Sequence, residues 1–306
     1  MTSGATWIDP PEGVGRVVTA MITPFTAAGE LDIDGAGKLA EHLISTGSDT
    51  VLVNGTTGES PTLHDDEPWR LLRAVKETVG DRGTVMVGTG ANDTVKTVAA
   101  TARAAEEGAD AVLVVTPYYN RPSQGGLLRH FREVAAATSL PVVLYDIPSR
   151  TGREIELPTL LELARVPNIV GVKDATNDVG KAADLLAAVR DIDPMFSLWS
   201  GADEVNLPLL AVGGCGVVSV SAHLVGPEIA AMIAAFGTDP ARARDLHHAC
   251  LPVHRALFAE PSPAPLKGAL NALGHPAGPV RGPLVDATED TVAAVLAALG
   301  PIEAAR

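Results

Sequence analysis

The stretch "IVGVKDAT", residues 169–176, closes an aliphatic run with an amine, Lys173. A lysine at a strand rim ordinarily lays its stem on apolar surface and puts its ammonium in water. Here the preceding apolar run, "PVVLYDIP", closes with Tyr145. If the two runs are adjacent strands, the amine sits beside a phenol and is partly desolvated, which lowers its pKa and frees neutral amine to attack a carbonyl. The chemistry suggested is a Schiff base. A second cluster, "GTTGE" at residues 55–59, offers two hydroxyls and successive backbone N–H groups suited to a carboxylate or phosphate. The same pentapeptide reads equally as a strand-to-helix turn with a hydroxyl cap. Arg150, in "IPSRTG", has a planar fork that can grip a carboxylate, although arginine at such a place is by default a surface residue.

These residues need a frame that collects them. Short β-branched runs recur about every thirty residues, the spacing of one strand plus one helix: "VVTAMITPF", "DTVLVNG", "TVMVGTG", "AVLVVTP", "PVVLYDIP", "IVGVKDA", "FSLWSG" and "CGVVSV". Between them lie Ala- and Leu-rich segments of helical period, such as "AGKLAEHLIS" and "PWRLLRAVKETV", often followed by glycine. Strand and helix alternate through the array, which predicts an α/β fold, a closed (β/α)8 TIM barrel with parallel strands. In such a barrel chemistry gathers at the C-terminal strand ends. All three tyrosines of the chain, Tyr118, Tyr119 and Tyr145, fall at two of those ends. After about residue 225 the strand pattern stops, and helical segments follow, broken by "EPSPAP" and "GHPAGPVRGP". The expected division is a tail over 1–15, a catalytic barrel over 16–230 and a C-terminal helical extension over 231–306.

Bulk properties narrow the partners. The net charge of −14 and pI of about 4.9 provide no long-range attraction to nucleic acid or anionic lipid. Residues 1–15 lack the pattern of a secretory signal, and no apolar stretch reaches membrane-spanning length. Cys215 and Cys250 read as free thiols in a reducing compartment. The expectation is a cytoplasmic protein with neither nucleic acid nor membrane as partner. Nucleotide and metal chemistry lack their motifs. "GTGAN" from Gly88 falls short of a dinucleotide fingerprint, and His247 and His248 are adjacent rather than one helical turn apart.

Taken in order, "TAMITPF", "GTTGES", "TPYYNRPSQGGL", "LYDIPSRTG", "NIVGVKDA", "GGCGVVSV" and "EPSPAPLKGAL" resemble the pyruvate-dependent class I aldolases and lyases typified by dihydrodipicolinate synthase. The resemblance runs over nearly the whole chain. It implies condensation of pyruvate with aspartate semialdehyde, as in 4-hydroxy-tetrahydrodipicolinate synthase, a step of lysine and diaminopimelate biosynthesis. By the same resemblance Lys173 forms the imine and Tyr145 is the acid and base. Thr56 relays protons, and Tyr119 completes the relay in a neighbouring subunit's site. Thr57 helps hold the pyruvate carboxylate, Arg150 binds the aldehyde's carboxylate, and Gly201 and Val218 line the pocket with backbone. No cofactor and no metal are implied, and the expected assembly is a homotetramer built as a dimer of dimers.

Some positions depart from the family pattern. Asp146 stands where many members have Asn, and strand alternation turns it away from the site. In lysine-inhibited members a histidine and an acidic residue help bind the inhibitor where Asp65 and Lys96 stand here. Ser60, Asn92 and Tyr118 match that pattern, but the two departures argue against feedback by lysine. The rival readings are a lyase for sialic acid, a keto-deoxy sugar acid or a hydroxy-oxoglutarate, and a non-catalytic keto-acid-binding barrel. Sialic acid lyases typically have Ser where Thr56 stands, and Arg150 suits a small carboxylated aldehyde. Some sugar-acid lyases share "TTGE". A non-catalytic barrel would be expected to lose Lys173, Tyr145 or the threonine pair, and this chain keeps them all.

Overall fold

The computed structural model describes residues 9–64 and 66–305. Eight parallel strands form a closed barrel in chain order. They are β1 (Val17–Ala20), β2 (Thr50–Val53), β3 (Thr84–Gly88), β4 (Ala111–Val115), β5 (Val142–Asp146), β6 (Ile169–Asp174), β7 (Ser197–Ser200) and β8 (Gly216–Ser219). Nearly every strand residue is buried, as expected of a parallel sheet covered on its outer side and filled within. The first strand is shorter than the apolar run that announces it. The strand ends at Ala20, four residues before Pro24; one more bond, from the Met21 N–H to the Leu52 carbonyl at 2.9 Å, follows it, and the ring nitrogen of Pro24 has no proton to give a ladder.

Local chemistry sets the helix ends. Asp32, Asp93, Ser123 and Asp178 each cap a helix by accepting the N–H of the residue three positions on, at 2.8, 3.1, 3.3 and 3.0 Å. At the other end Gly47, Gly80 and Gly108 take positive φ just past Ile33–Ser45, Glu67–Val79 and Thr94–Glu106.

The chain divides into two compact units. The first is Met86–Val218 with the segment ending at Arg16, and it contains β4 to β7. Its core includes Val112, Val114, Phe131, Leu144, Val172, Leu198 and Trp199, whose indole donates to the Gly15 carbonyl at 2.8 Å. The second is Val17–Val85 with Ser219–Arg306. It contains β1 and β2 and, beyond the barrel, the helices Pro240–Ala256, Ala264–Ala272 and Glu289–Glu303. Of the proline-rich stretches, residues 274–283 lie between the last two of those helices, and residues 260–265 run from the gap before Ala264–Ala272 into its first turn. A further proline, Pro227, lies inside Ala222–Phe236, and there the helix kinks at Val225 (φ −124°, ψ 33°). No helix among the described residues is long and apolar enough to cross a membrane.

Candidate active site

Residues 142–146 and 169–174 are neighbouring strands whose register sets Tyr145 directly opposite Lys173. The Lys173 ammonium nitrogen lies 4.1 Å from the centroid of the Tyr145 ring, and the residue is 6 % exposed. Burial drags its pKa from 10.5 down to about 7; the Asp203 carboxylate opposes the drop, and the Arg150 guanidinium adds to it. An amine that is half neutral at neutral pH is a competent nucleophile. Tyr145 is held through its backbone. Its carbonyl accepts both the N–H of Thr116 at 2.9 Å and the Thr116 hydroxyl at 3.0 Å.

Beyond β7, the Gly201 N–H meets the Asp174 carbonyl at 2.6 Å. A Cβ at residue 201 would come within 2.6 Å of the Ala175 methyl, so only glycine lets the chain cross so close to the end of β6. Two residues on, Asp203 is buried. The pull of its charge on Lys173 was not read from the sequence, although "SGADE" closes a strand at the chemically active end of the barrel. Val218 is buried on β8.

Past β5 the chain makes a helical turn, Pro148–Thr151, and leaves it through Gly152 at φ 68°. Arg150 sits on that turn, exposed, and its charge is felt at Lys173. Tyr119 is 90 % exposed and takes φ 73°, which is uncommon for a bulky residue. Asp146 is fully buried and does turn away from Lys173, as alternation requires: its carboxylate meets the Lys181 ammonium at 2.8 Å.

Thr56 and Thr57 belong to the other unit. After β2 the chain turns through Asn54 (φ 55°) and Glu59 (φ 56°), two left-handed residues that bracket residues 55–58. The Glu59 N–H donates to the Thr56 carbonyl at 3.0 Å, Ser60 N–H to the Gly55 carbonyl at 3.2 Å, and the Thr23 hydroxyl to the Gly58 carbonyl at 2.6 Å. Thr57 is buried and Thr56 half-buried. The pentapeptide is therefore a tightly tied turn rather than a helix cap, since Glu59 makes no side-chain cap bond to the 3-10 turn Ser60–Thr62.

Glu59 itself is locked. Its carboxylate oxygen lies 2.6 Å from the Lys267 ammonium, with both side chains 1 % exposed, and its second oxygen accepts the Arg281 N–H at 2.8 Å. Burial lowers the Lys267 pKa although Glu59 pulls the other way. Lys267 also donates to the Pro279 carbonyl at 2.8 Å and lies 4.2 Å over the Phe25 ring. Arg281 holds Glu67 through two bonds of 2.6 and 2.7 Å. The motifs "GTTGES" and "PAPLKGAL" thus meet as one buried ion pair, which residue spacing could not reveal. Their sequence signal is a lysine in an otherwise apolar, proline-rich segment.

Of the lysine-inhibition positions, Asp65 lies outside the described residues. Lys96 is exposed on the first turn of Thr94–Glu106, and the Asn92 carbonyl accepts the Asn120 amide at 2.7 Å. Among the described residues no group of three or more His, Cys, Asp or Glu is placed to hold a metal ion.

Comparison with known proteins gives the family. The profile of the dihydrodipicolinate synthetase family matches residues 13–301. The 4-hydroxy-tetrahydrodipicolinate synthase of Moorella thermoacetica is 49 % identical over 93 % of this chain and 97 % of its own. That of Acidothermus cellulolyticus is 51 % identical over 92 % of this chain and 91 % of its own. The crystal structure of dihydrodipicolinate synthase from Cyanidioschyzon merolae with lysine bound superposes with a TM-score of 0.90 at 42 % identity, covering 94 % of this chain and 98 % of the other. With a profile match over most of its length, relatives near half identity and the same closed barrel, this chain belongs to the dihydrodipicolinate synthetase family.

Proposed function

We propose that the chain is a lyase of the 4-hydroxy-tetrahydrodipicolinate synthase type, joining pyruvate to aspartate semialdehyde through an imine on Lys173. The observation that carries this reading is the buried Lys173 amine set 4.1 Å over the Tyr145 ring, with a pKa brought to about 7. The relatives of the same name, close to half identical over nearly the whole chain, favour this substrate pair over sugar acids.

The neutral amine adds to the ketone carbon of pyruvate, and the former carbonyl oxygen leaves as water once protonated, giving the imine. Tyr145 supplies that proton and takes one back, with Thr56 as its relay. The imine nitrogen draws electrons from the methyl carbon, which loses a proton to become an enamine. That carbon attacks the aldehyde carbon, and the aldehyde oxygen takes up a proton as a hydroxyl. The substrate's own amine then adds at the imine carbon and expels the Lys173 nitrogen, closing the ring and restoring the enzyme. The electron sink is the imine, so the route calls on no cofactor and no metal. In this reading Thr57 holds the pyruvate carboxylate, Arg150 the carboxylate of the aldehyde, and the backbone at Gly201 and Val218 lines the site.

The proposal extends to the assembly. Tyr119 reaches into a neighbouring subunit to complete its proton relay, in a homotetramer built as a dimer of dimers. Its near-complete exposure and left-handed backbone support that role. A catalytic barrel over 16–230 with an extension over 231–306 and a cytoplasmic location belong to the same proposal, and the exposed cation of Lys96 argues against feedback by lysine.

The test combines trapping with turnover. Borohydride with pyruvate is expected to leave a covalent adduct that peptide mapping places on Lys173, and pyruvate with aspartate semialdehyde is expected to be consumed faster than any sugar acid is cleaved. An adduct on Lys267 or another lysine would overturn the site. Preferential cleavage of a sugar acid would overturn the substrate.

A further inference from the structure

We propose that Lys181 and Asp146 are positioning residues: they clamp both ends of the segment that carries Arg150 and thereby set the affinity for the carboxylated aldehyde. The inference rests on the reading of Arg150 given above and adds a determinant outside the motifs that define the site. Residues 147–154 leave the barrel after β5 and return at Ile155. The Asp146 carboxylate stands at the start and accepts the Ile155 N–H at 3.2 and 3.3 Å, one bond to each oxygen. Lys181 joins the same two ends, with Nζ 2.8 Å from Asp146 Oδ2 and 2.7 Å from Glu154 Oε1.

Within the loop the turn is rigid. The Thr151 hydroxyl has its one proton within reach of two carbonyls, Arg153 at 2.7 Å and Ile147 at 3.0 Å, and the Gly152 N–H donates to the Pro148 carbonyl at 2.9 Å. Outside it, Arg121 Nε reaches the Gly152 carbonyl at 3.0 Å and the Gln124 amide the Glu154 carbonyl at 2.9 Å. The exposed Arg150 thus rides on a closed, eight-residue ring whose clasp is Lys181.

Two features separate this clasp from ordinary surface pairing. Lys181 lies in the first turn of the helix Val179–Val189, the end of a helix dipole that repels a cation, so its place there depends on the two carboxylates. Asp146 is fully buried, and burial lifts its pKa to about 6 against the pull of Lys181. A buried ion pair is a poor stability device, because apolar residues of similar volume commonly hold a fold as well or better. Its distinct property is fixed geometry between two points of the chain. The neighbouring carboxylate, Asp174, is already engaged by the N–H and hydroxyl of Thr176, both at 2.7 Å. The acid at residue 146 thus has a matching cation on the helix that follows β6.

Steady-state kinetics with both substrates varied provide the test, on wild type, Lys181→Met, Asp146→Asn and Lys181→Arg. Lys181→Met and Asp146→Asn are each expected to raise the KM for aspartate semialdehyde by about tenfold or more, as a displaced binding group does. The pyruvate KM and the yield of the Lys173 adduct stay at wild-type values, and Lys181→Arg keeps most of the aldehyde affinity. An unchanged aldehyde KM in folded Lys181→Met overturns the proposal, as does an equal rise in both KM values, the mark of general loosening. If Lys181→Met does not fold, Asp146→Asn decides by the same criteria, since it keeps an acceptor for the Ile155 N–H and removes only the charge. Should wild type consume a different carboxylated aldehyde, the substrate proposal fails and the same comparison is made with that aldehyde.

Discussion

Desolvation of one amine makes a sharp forecast. With a pKa of 10.5 a lysine is neutral in only about one molecule in 3,000 at pH 7, whereas at about 7 roughly half are neutral, so burial enlarges the nucleophilic population by about a thousandfold. The assay is the initial rate of Lys173 adduct formation with pyruvate and cyanoborohydride, read by intact mass across about pH 5 to 9, roughly two units either side of the transition. The rate should rise with pH and level off with a midpoint near 7. Asp203→Asn removes the anion that favours the ammonium and should move the midpoint down. Arg150→Leu removes the cation that disfavours it and should move the midpoint up. The same desolvation bears on stability. The unfolded lysine binds its proton up to about 10.5 while the folded one releases it near 7, so this group makes stability rise with pH across that window. The gap corresponds to about 5 kcal/mol, and Lys173→Met should recover a substantial part of it below pH 7 and none above 10.5, while abolishing the adduct. A midpoint near 10, or an inactive Lys173→Met no more stable than wild type at pH 6, would refute the reasoning.

Two other outcomes follow from the geometry. Glu59→Gln leaves the Lys267 ammonium buried without its carboxylate and should destabilise the fold by about 3–5 kcal/mol in thermal or urea unfolding, whereas Glu59→Gln with Lys267→Met should regain most of that loss; equal losses in the single and double variants would show that the pair is not coupled. For Tyr119, specific activity should fall on dilution below the assembly's dissociation constant, and Tyr119→Phe should lower turnover by about a hundredfold, within the range of a proton-transfer group; a fully active monomer would remove the shared site.

Much of this protein is legible in one dimension because its strands and helices are local and periodic. The β-branched runs and the helical segments between them announce the barrel, and proline marks where the extension's helices must break. The residues that close each run are exposed to reading for the same reason: in a parallel barrel every strand ends on the same face, so Lys173 and Tyr145 can be paired from their places alone. What distance along the chain hides is which charges are dry and what they meet. Glu59 and Lys267 lie 208 positions apart and share one buried contact, and Asp146 finds Lys181 only because the fold brings the first turn of the helix after β6 beside the end of β5. Sequence fixes which groups can titrate and where each strand ends. Whether an amine is a nucleophile or a solvated cation depends on water being excluded and on carboxylates brought in from other elements, and those are properties of the packed fold.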